Sequence, residues 1–409
     1  HKDHSIDVML GTSTYEAQWE HSYISVKDLP FNSKWHNIKS AGTEVARESW
    51  EGRDRLVSFM GRFNYSYKDK YLFTVTGRAD GSSKLAQGHK WGFFPSAAIA
   101  WRVTEEGFLK DNSVINNLKL RLSYGESGNN AVDNYSTILG TSSTQYDFDG
   151  TNANGQYLNR IKNDKLGWEK SKEINLGLDF AFWGGRLAGN VELYNKKTYD
   201  LILSQKIPQT NGFDNVGAVN VGATRNKGLE IGLNTVNIQT KDFSWTTNLS
   251  FATNKNEITE IFGDSKDYPD QKLFIGQPVL VHYDYAWDGI WQTSEKDEAS
   301  KYGRLPGAVK EVDQDNSGTI TPDKDRVILG TPFPDWTGSI TNTFTYKDFD
   351  FSVFIYTRQG EMKWSKFHTE LQNEYLGEIN QLKVDYWTPE NPSNTFYRPG
   401  FNGDRKSVV

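Results

Sequence analysis

One stretch of this chain spaces oxygen ligands as a bound cation would need them. Asp313, Asp315 and Ser317 stand at positions one, three and five, Gly318 at six, and Thr319 offers a backbone carbonyl at seven. This is the start of a twelve-residue calcium loop, in which glycine makes the sharp turn and alternate side chains point at the ion. The twelfth position departs from that pattern. It is Lys324, a cation where a bidentate carboxylate belongs, with Asp323 and Asp325 on either side and no flanking helical pattern. The expectation is that Asp313, Asp315, Ser317, the Thr319 carbonyl and Asp325 surround a structural calcium ion. Three close carboxylates repel one another unless a cation offsets them, so Lys324 and Arg326 are the rival neutralisers. The alternative is a polar turn that uses Asp and Gly for backbone geometry.

Other chemistry finds little support, and no enzyme activity is expected. The pair Glu105-Glu106 reads as a solvated face in a chain with 52 acidic residues. Seven histidines are scattered without metal-ligand spacing, and there is no cysteine nucleophile. Ala79-Asp80-Gly81-Ser82-Ser83 lacks the spacing of a nucleophile elbow or a phosphate loop. The net charge of -6 and the absence of a basic stripe argue against nucleic acid as a partner.

The elements that must position the acidic stretch are strands. Phe63, Tyr65 and Tyr67 alternate with Arg62, Asn64 and Ser66. After a turn at Lys68-Asp69-Lys70, Tyr71, Phe73, Val75, Gly77 and Ala79 alternate with Thr74, Thr76, Arg78 and Asp80. Period two with unlike sets marks a sheet whose two sides meet different surroundings. Strands are expected over 6–19, 56–68, 71–80, 91–103, 118–124, 174–183, 187–194, 229–235, 243–251, 340–346 and 349–355, with 20–49 a polar, irregular loop and 125–167 a long polar loop. Val75, Leu120, Leu178, Leu249 and Val353 are expected to face lipid, and Arg121, Asn175 and Asp179 the lumen.

Composition identifies the two surroundings. The chain has 409 residues, 36% of them hydrophobic and 14% aromatic, with a mean hydropathy of -0.67. A transmembrane barrel exposes only alternate side chains to lipid, so low hydropathy and the lack of a long apolar run are compatible with one. Tight turns at Lys68-Asp69-Lys70, Gly184-Gly185, Lys241-Asp242 and Lys347-Asp348 interleave with connections of tens of residues expected after Asp80, Tyr124, Tyr199, Thr253 and Tyr356. That alternation is the short periplasmic turn and long external loop of an outer-membrane barrel. Aromatics crowd the tight-turn end (Tyr65, Tyr67, Phe180, Phe182, Trp183, Phe243, Trp245, Phe344, Tyr346, Phe349), as an interfacial belt would. The fold class expected is therefore all-β, a transmembrane antiparallel β-barrel with long extracellular loops. About ten or eleven strands are too few to wall a wide plugged pore, so the chain reads as a piece of a larger barrel. The opening at His1 and the polar run before Val409 are read the same way.

Longer runs carry a resemblance. GRFNYSYKDKYLFTVTGRADGSSKL, WGFFPSAAIAWRVTEEGFL, LKLRLSYGESGNN, NVGAVNVGATRNKGLEIGLNT, PGAVKEVDQDNSGTITPDKDRVILGTPFPDW and YWTPENPSN follow one another from Gly61 to Asn394. Their order resembles the SusC/RagA family of TonB-linked outer-membrane transporters of Bacteroidota. The resemblance implies that residues 1–409 are the C-terminal part of a barrel of about 22 strands without its N-terminal plug, with a SusD-like surface lipoprotein as partner, TonB energy coupling through an N-terminal part, and import of a bulky nutrient, oligosaccharide or peptide. A barrel of the same descent serving as a scaffold without transport is the alternative, and a secreted glycan-binding β protein a third.

Overall fold

The computed structural model describes residues 3–30, 37–110, 112–206, 210, 215–365, 367 and 383–398. Its main body is one antiparallel sheet. In chain order the strands are β1 (His4–Lys27), β2 (Thr43–Tyr67), β3 (Tyr71–Ser82), β4 (Trp91–Arg102), β5 (Ile115–Asn129), β6 (Gly140–Phe148), β7 (Thr151–Arg160), β8 (Glu169–Phe182), β9 (Leu187–Tyr199), β10 (Ile202–Lys206) and β11 (Asn215–Asn220). After these come β12 (Ala223–Gln239), β13 (Phe243–Glu260), β14 (His282–Tyr285), β15 (Trp287–Ile290), the helix α1 (Lys296–Lys301), β16 (Val309–Glu311), β17 (Arg326–Gly330), β18 (Trp336–Tyr346) and β19 (Phe349–Gln359).

Eleven of these strands pair in the order β1-β2-β3-β4-β5-β8-β9-β12-β13-β18-β19, an open wall whose edges among the described residues are β1 and β19. The ladders keep one parity across the wall. Leu120 lies opposite Trp101 and Leu178, and Leu178 opposite Val191. Val191 in turn faces Ile231, and Ile231 faces Phe251. A parallel row runs Phe63, Val75, Ala97, Tyr124, Ile174, and Leu249 faces Ile340, which faces Ile355, two residues from Val353. Directly opposed residues share a face, so the five expected lipid-facing positions fall on one side. Asn64, Thr74, Ala98, Ser123 and Asn175 form a row on the other.

The tight turns that join neighbouring strands of the wall lie at one end. Lys68 and Asp69 both take positive φ, the geometry whose twist matches a right-handed hairpin. Gly184 and Gly185 do the same after Phe182, at no steric cost because they lack a Cβ.

Several expected bounds are corrected. Thr43–Ser49 is the start of β2 and not a loop, and β1 and β2 run to 24 and 25 residues. That exceeds the roughly 9–11 residues a tilted strand needs to cross a bilayer, so the wall continues beyond the membrane. The connection after β3 is only residues 83–90 and not tens of residues. The stretch 125–167 is not irregular, because β5 continues to Asn129 and β6 and β7 form a hairpin inside it. Aromatics also gather at the long-loop end, where Phe59 stacks near Trp91 and Phe251 near Trp336, so the belt expected at one end has a counterpart at the other. The polar run ending at Val409 lies outside the described residues.

Connections at the long-loop end pack onto the polar face. Leu85, Ala86, Phe94, Val132, Leu166 and Trp168 make a buried cluster there, with the Trp168 indole N–H donating to the Lys90 carbonyl at 2.9 Å. Gly128 makes room, since a Cβ at that position would stand 2.1 Å from the Phe94 ring. The segment between β13 and β18 builds its own small unit of two short sheets, β14-β17 and β15-β16.

Candidate functional site

Two features could act on a solute or ion: the polar face of the wall, and the unit between β13 and β18. On the wall, Arg121 of β5 stands opposite Gly177 of β8, which stands opposite Glu192 of β9. The guanidinium donates to both carboxylate oxygens of Asp179, at 2.9 and 2.8 Å, and to Glu192 at 2.9 Å. Asn175 donates to the second Glu192 oxygen at 3.0 Å. Gly177 is what lets the fork lie flat, because a Cβ there would meet the Arg121 Cζ at 2.7 Å. Further along, Arg78 bonds Asp80 at 2.8 Å and Ser58 at 2.9 Å, and Asp80 and Ser58 are both buried. Bidentate Arg–carboxylate pairs hold their geometry, so this face presents fixed charges and amides to whatever passes it. Alternation placed Arg121 and Asp179 on the polar side without joining them. The signal was there: an arginine and a carboxylate of inward parity on neighbouring strands.

In the second unit, the structure gathers the expected acidic residues. One carboxylate oxygen from each of Asp313, Asp315 and Asp325 lies within 4.8 Å of the others. Asp325 is fully buried, accepting from the backbone N–H of Gln314 at 2.8 Å and of Thr321 at 2.6 Å. Asp313 accepts from the N–H of Gly318 at 2.7 Å and of Ser317 at 3.1 Å, and Asp315 shares the Ser317 N–H at 3.1 Å. The Ser317 hydroxyl donates to the Thr319 carbonyl at 3.0 Å, so these two members are drawn into the same turn. Burial alone would raise the Asp313 carboxyl, yet the Gly318 and Ser317 N–H groups outweigh it and hold the pKa below the ordinary aspartate value. Tyr302, whose hydroxyl donates to Asp313 at 3.3 Å, is pushed up by burial and then by that carboxylate.

Neither rival cation is ion-paired with the cluster among the described residues. Arg326 lies over the Tyr285 ring at 5.4 Å, and its Nε is buried without a partner. Oxygen donors only, with a carbonyl among them and free lone pairs on each carboxylate, are the donor set of a hard divalent cation. Thus the residues fit calcium by chemistry, although they already satisfy one another through backbone N–H groups.

Nearby, Asp288, Ile290, Gln292, Glu295, Lys310 and Asn394 line a cleft of about 450 Å³. Lys310 pairs with Glu295 at 2.9 Å and lies over the Trp291 ring. The Gln292 backbone N–H first, and Lys310 second, hold Glu295 below its usual range. A larger cleft of about 620 Å³ opens between the β6–β7 hairpin and β10–β11, lined among others by Asp133, Ser142, Tyr157, Asn159 and Arg160. This hairpin was missed, though Asp149-Gly150 between Phe148 and Thr151 is a two-residue hairpin signal, and both take positive φ.

Comparison with known proteins places the chain among one group. A family profile described as "TonB dependent receptor-like, beta-barrel" matches residues 7–402. The chain is 37% identical over 365 residues to TonB-dependent receptor P26 of Formosa agariphila, covering 85% of this chain and 36% of that protein. It is 37% identical over 316 residues to TonB-dependent receptor SusC of Bacteroides thetaiotaomicron, covering 74% of this chain and 31% of SusC. Among solved structures, the RagAB peptide transporter superposes with a TM-score of 0.79 at 23% identity, over 97% of this chain and 44% of that chain. The chain spans less than half the length of the curated relatives it matches.

Proposed function

Since this chain belongs to the TonB-dependent receptor β-barrel family of the outer membrane, in its SusC/RagA branch, we propose that it forms part of the wall of an importer for a bulky nutrient, an oligosaccharide or a peptide. Import draws energy from the TonB complex and works with a SusD-like surface lipoprotein. The observation that carries this reading is the two-sided wall: aliphatic and aromatic rows on one face, and on the other the Arg121–Asp179–Glu192–Asn175 network. A scaffold needs the apolar face to sit in lipid, but gains nothing from a face of fixed charges and amides, which a passing polar solute uses. The protein acts as a transporter and not as an enzyme.

The test is uptake of labelled oligosaccharide or peptide by cells carrying the full-length receptor. Uptake should vanish without TonB and fall without the lipoprotein. A receptor that folds in the outer membrane and takes up neither class of solute would leave the scaffold role. Protease added to intact cells should cut within 125–167 or 292–306 when the lipoprotein is absent, and be blocked there when it is present.

The acidic turn has its own role in this reading. Asp313, Asp315, Ser317, the Thr319 carbonyl and Asp325 hold a calcium ion that braces the external unit between β13 and β18. When bound, the ion supplies positive charge that offsets three close carboxylates. The chain's own part is to aim those oxygens, through the Ser317 and Gly318 N–H groups at Asp313 and the Gln314 and Thr321 N–H groups at Asp325.

A further inference from the structure

Four neighbouring strands carry an unexplained patch on the apolar face. Read from the tight-turn end, the outward positions of β8 are Phe182, Phe180, Leu178, Leu176 and Ile174, and then Lys172. On β9 they run to Leu193 and Asn195 and then Lys197. β12 runs Leu233, Ile231 and Leu229 and then Lys227 and Arg225, while β13 reaches Phe251 and Thr253 and then Lys255. The apolar run of β8 covers the nine residues that a tilted strand needs for an apolar band of about 25 Å. The cations therefore begin where that band ends, on the side of the long loops, at the level of the outer leaflet's headgroups. On β4 and β18 the outward positions towards the same end are Phe93, Trp91 and Trp336, and on β2 the outward Arg53 and Arg55 are both bonded to Glu16, whereas on β8, β9, β12 and β13 cations outnumber carboxylates.

The register concentrates it. Lys172 lies directly opposite Lys197, which lies opposite Arg225; Lys227 lies opposite Lys255. Like charges directly opposed across strands about 4.8 Å apart are destabilising unless an anion sits among them. Two carboxylates partly answer: Glu126 is 3.7 Å from Lys172, and Glu257 is 3.5 Å from Arg225. Lys197, Lys227 and Lys255 are exposed and make no ion pair among the described residues. Five cations against two carboxylates leave the patch positive. Asn195 and Tyr199 add hydrogen-bonding groups within it, and Ile174, Leu193 and Leu229 supply an apolar floor beneath.

We propose that this patch binds a phosphorylated glycolipid of the outer leaflet, with its phosphates among Lys172, Lys197, Arg225, Lys227 and Lys255, its sugar against Asn195 and Tyr199, and its acyl chains along the aliphatic rows below. A headgroup with more than one phosphate matches two rows of cations better than a single-phosphate lipid does. The site lies on the outside of the wall and is independent of what the lumen transports.

The experiment purifies the full-length receptor from outer membranes. It measures retained glycolipid per barrel by native mass spectrometry, with bis-phosphorylated glycolipid, its mono-phosphorylated form and phosphatidylglycerol added as separate competitors. The wild-type should retain the bis-phosphorylated lipid, and Lys227→Gln with Lys255→Gln should lower retention about tenfold or more. Lys68→Gln with Lys347→Gln, at the tight-turn end, should leave it unchanged. Should the double Gln variant fail to fold by heat-modified gel mobility, Lys227→Arg with Lys255→Arg keeps the charge and must retain the lipid. Equal retention by a folded Gln variant, loss of the lipid from the folded Arg variant, or equal displacement by phosphatidylglycerol would overturn the proposal.

Discussion

The wall and the unit between β13 and β18 bury their apolar side chains in opposite directions. On the wall, Leu10 is 84% exposed and Leu193 50% exposed, whereas in the outer unit Ile290 is 2% and Trp387 5% exposed. With Trp387 packing onto it from the chain after β19, the unit does what a water-soluble domain does, closing Ile290, Val309 and Trp387 into one small core and Trp291, Ala299 and Ala308 into another. The wall instead leaves its aliphatics on the surface and turns Arg78, Asp80, Arg121, Asp179 and Glu192 inward, where they satisfy each other. One chain thus folds against two solvents. Each region's stability should respond to the solvent it was built for.

Predictions that sharpen this contrast can be ordered by size. Truncating Trp387, which packs with Ile290 and Val309 and donates to Gln292 at 2.9 Å, should cost the outer unit about 3–5 kcal/mol. It should be readable as loss of protease resistance over residues 287–311, with the wall still resistant to detergent. Unfolding of both together would erase the distinction between the regions. Leu178→Arg should cost the wall about 2–4 kcal/mol in a lipid-vesicle folding assay, and Asn175→Arg on the opposite face much less; equal penalties would break the assignment of faces. Asp315→Ala should abolish calcium-dependent protection of the outer unit and leave the wall folded. Magnesium should not substitute for calcium, because it prefers a rigid octahedral shell with retained water. Identical protection in a chelator would reduce the turn to its hydrogen bonds. The smallest effect is on pH. Because the Asp313 pKa is lowered by its N–H partners, its contribution is present above the unfolded value near 4 and is lost as pH falls through the folded one. Order in the turn, followed by the fluorescence of Trp291 beside Tyr302, should therefore hold at neutral pH and decline only below about pH 4. Loss beginning near pH 6 would point to another group.

The same contrast explains what could be read from the residues. Strands such as Ile174–Phe182 announce themselves, because lipid on one side and polar lumen on the other force strict period two. The bounds slipped wherever that contrast ends. Beyond the membrane both faces of β1, β2 and β5 meet water, so Thr43–Ser49 and Glu126–Asn129 carry no alternation and looked like loop. The hairpin of β6 and β7 stands outside the bilayer for the same reason, and only its Asp149-Gly150 turn betrayed it. In the acidic turn, the spacing of Asp313, Asp315 and Gly318 was legible because backbone geometry dictates it. That Asp325 would be the fully buried member could not be read, since its burial depends on Thr321 and Gln314 turning their N–H groups onto it. The Arg121 network needed register as well as parity, and register is fixed by the ladder between β5, β8 and β9.

The two-sided wall is tested most directly on β8, where residues 1–409 contribute no cysteine of their own. Single cysteines placed in turn at residues 174–180 of the receptor in native outer membrane would be labelled with a water-soluble maleimide, or with a fluorophore quenched by spin-labelled lipid. Asn175, Gly177 and Asp179 should react from water, and Ile174, Leu176, Leu178 and Phe180 should be quenched from lipid, giving a period of two. A uniform response along the strand, or alternation of the opposite phase, would contradict the account.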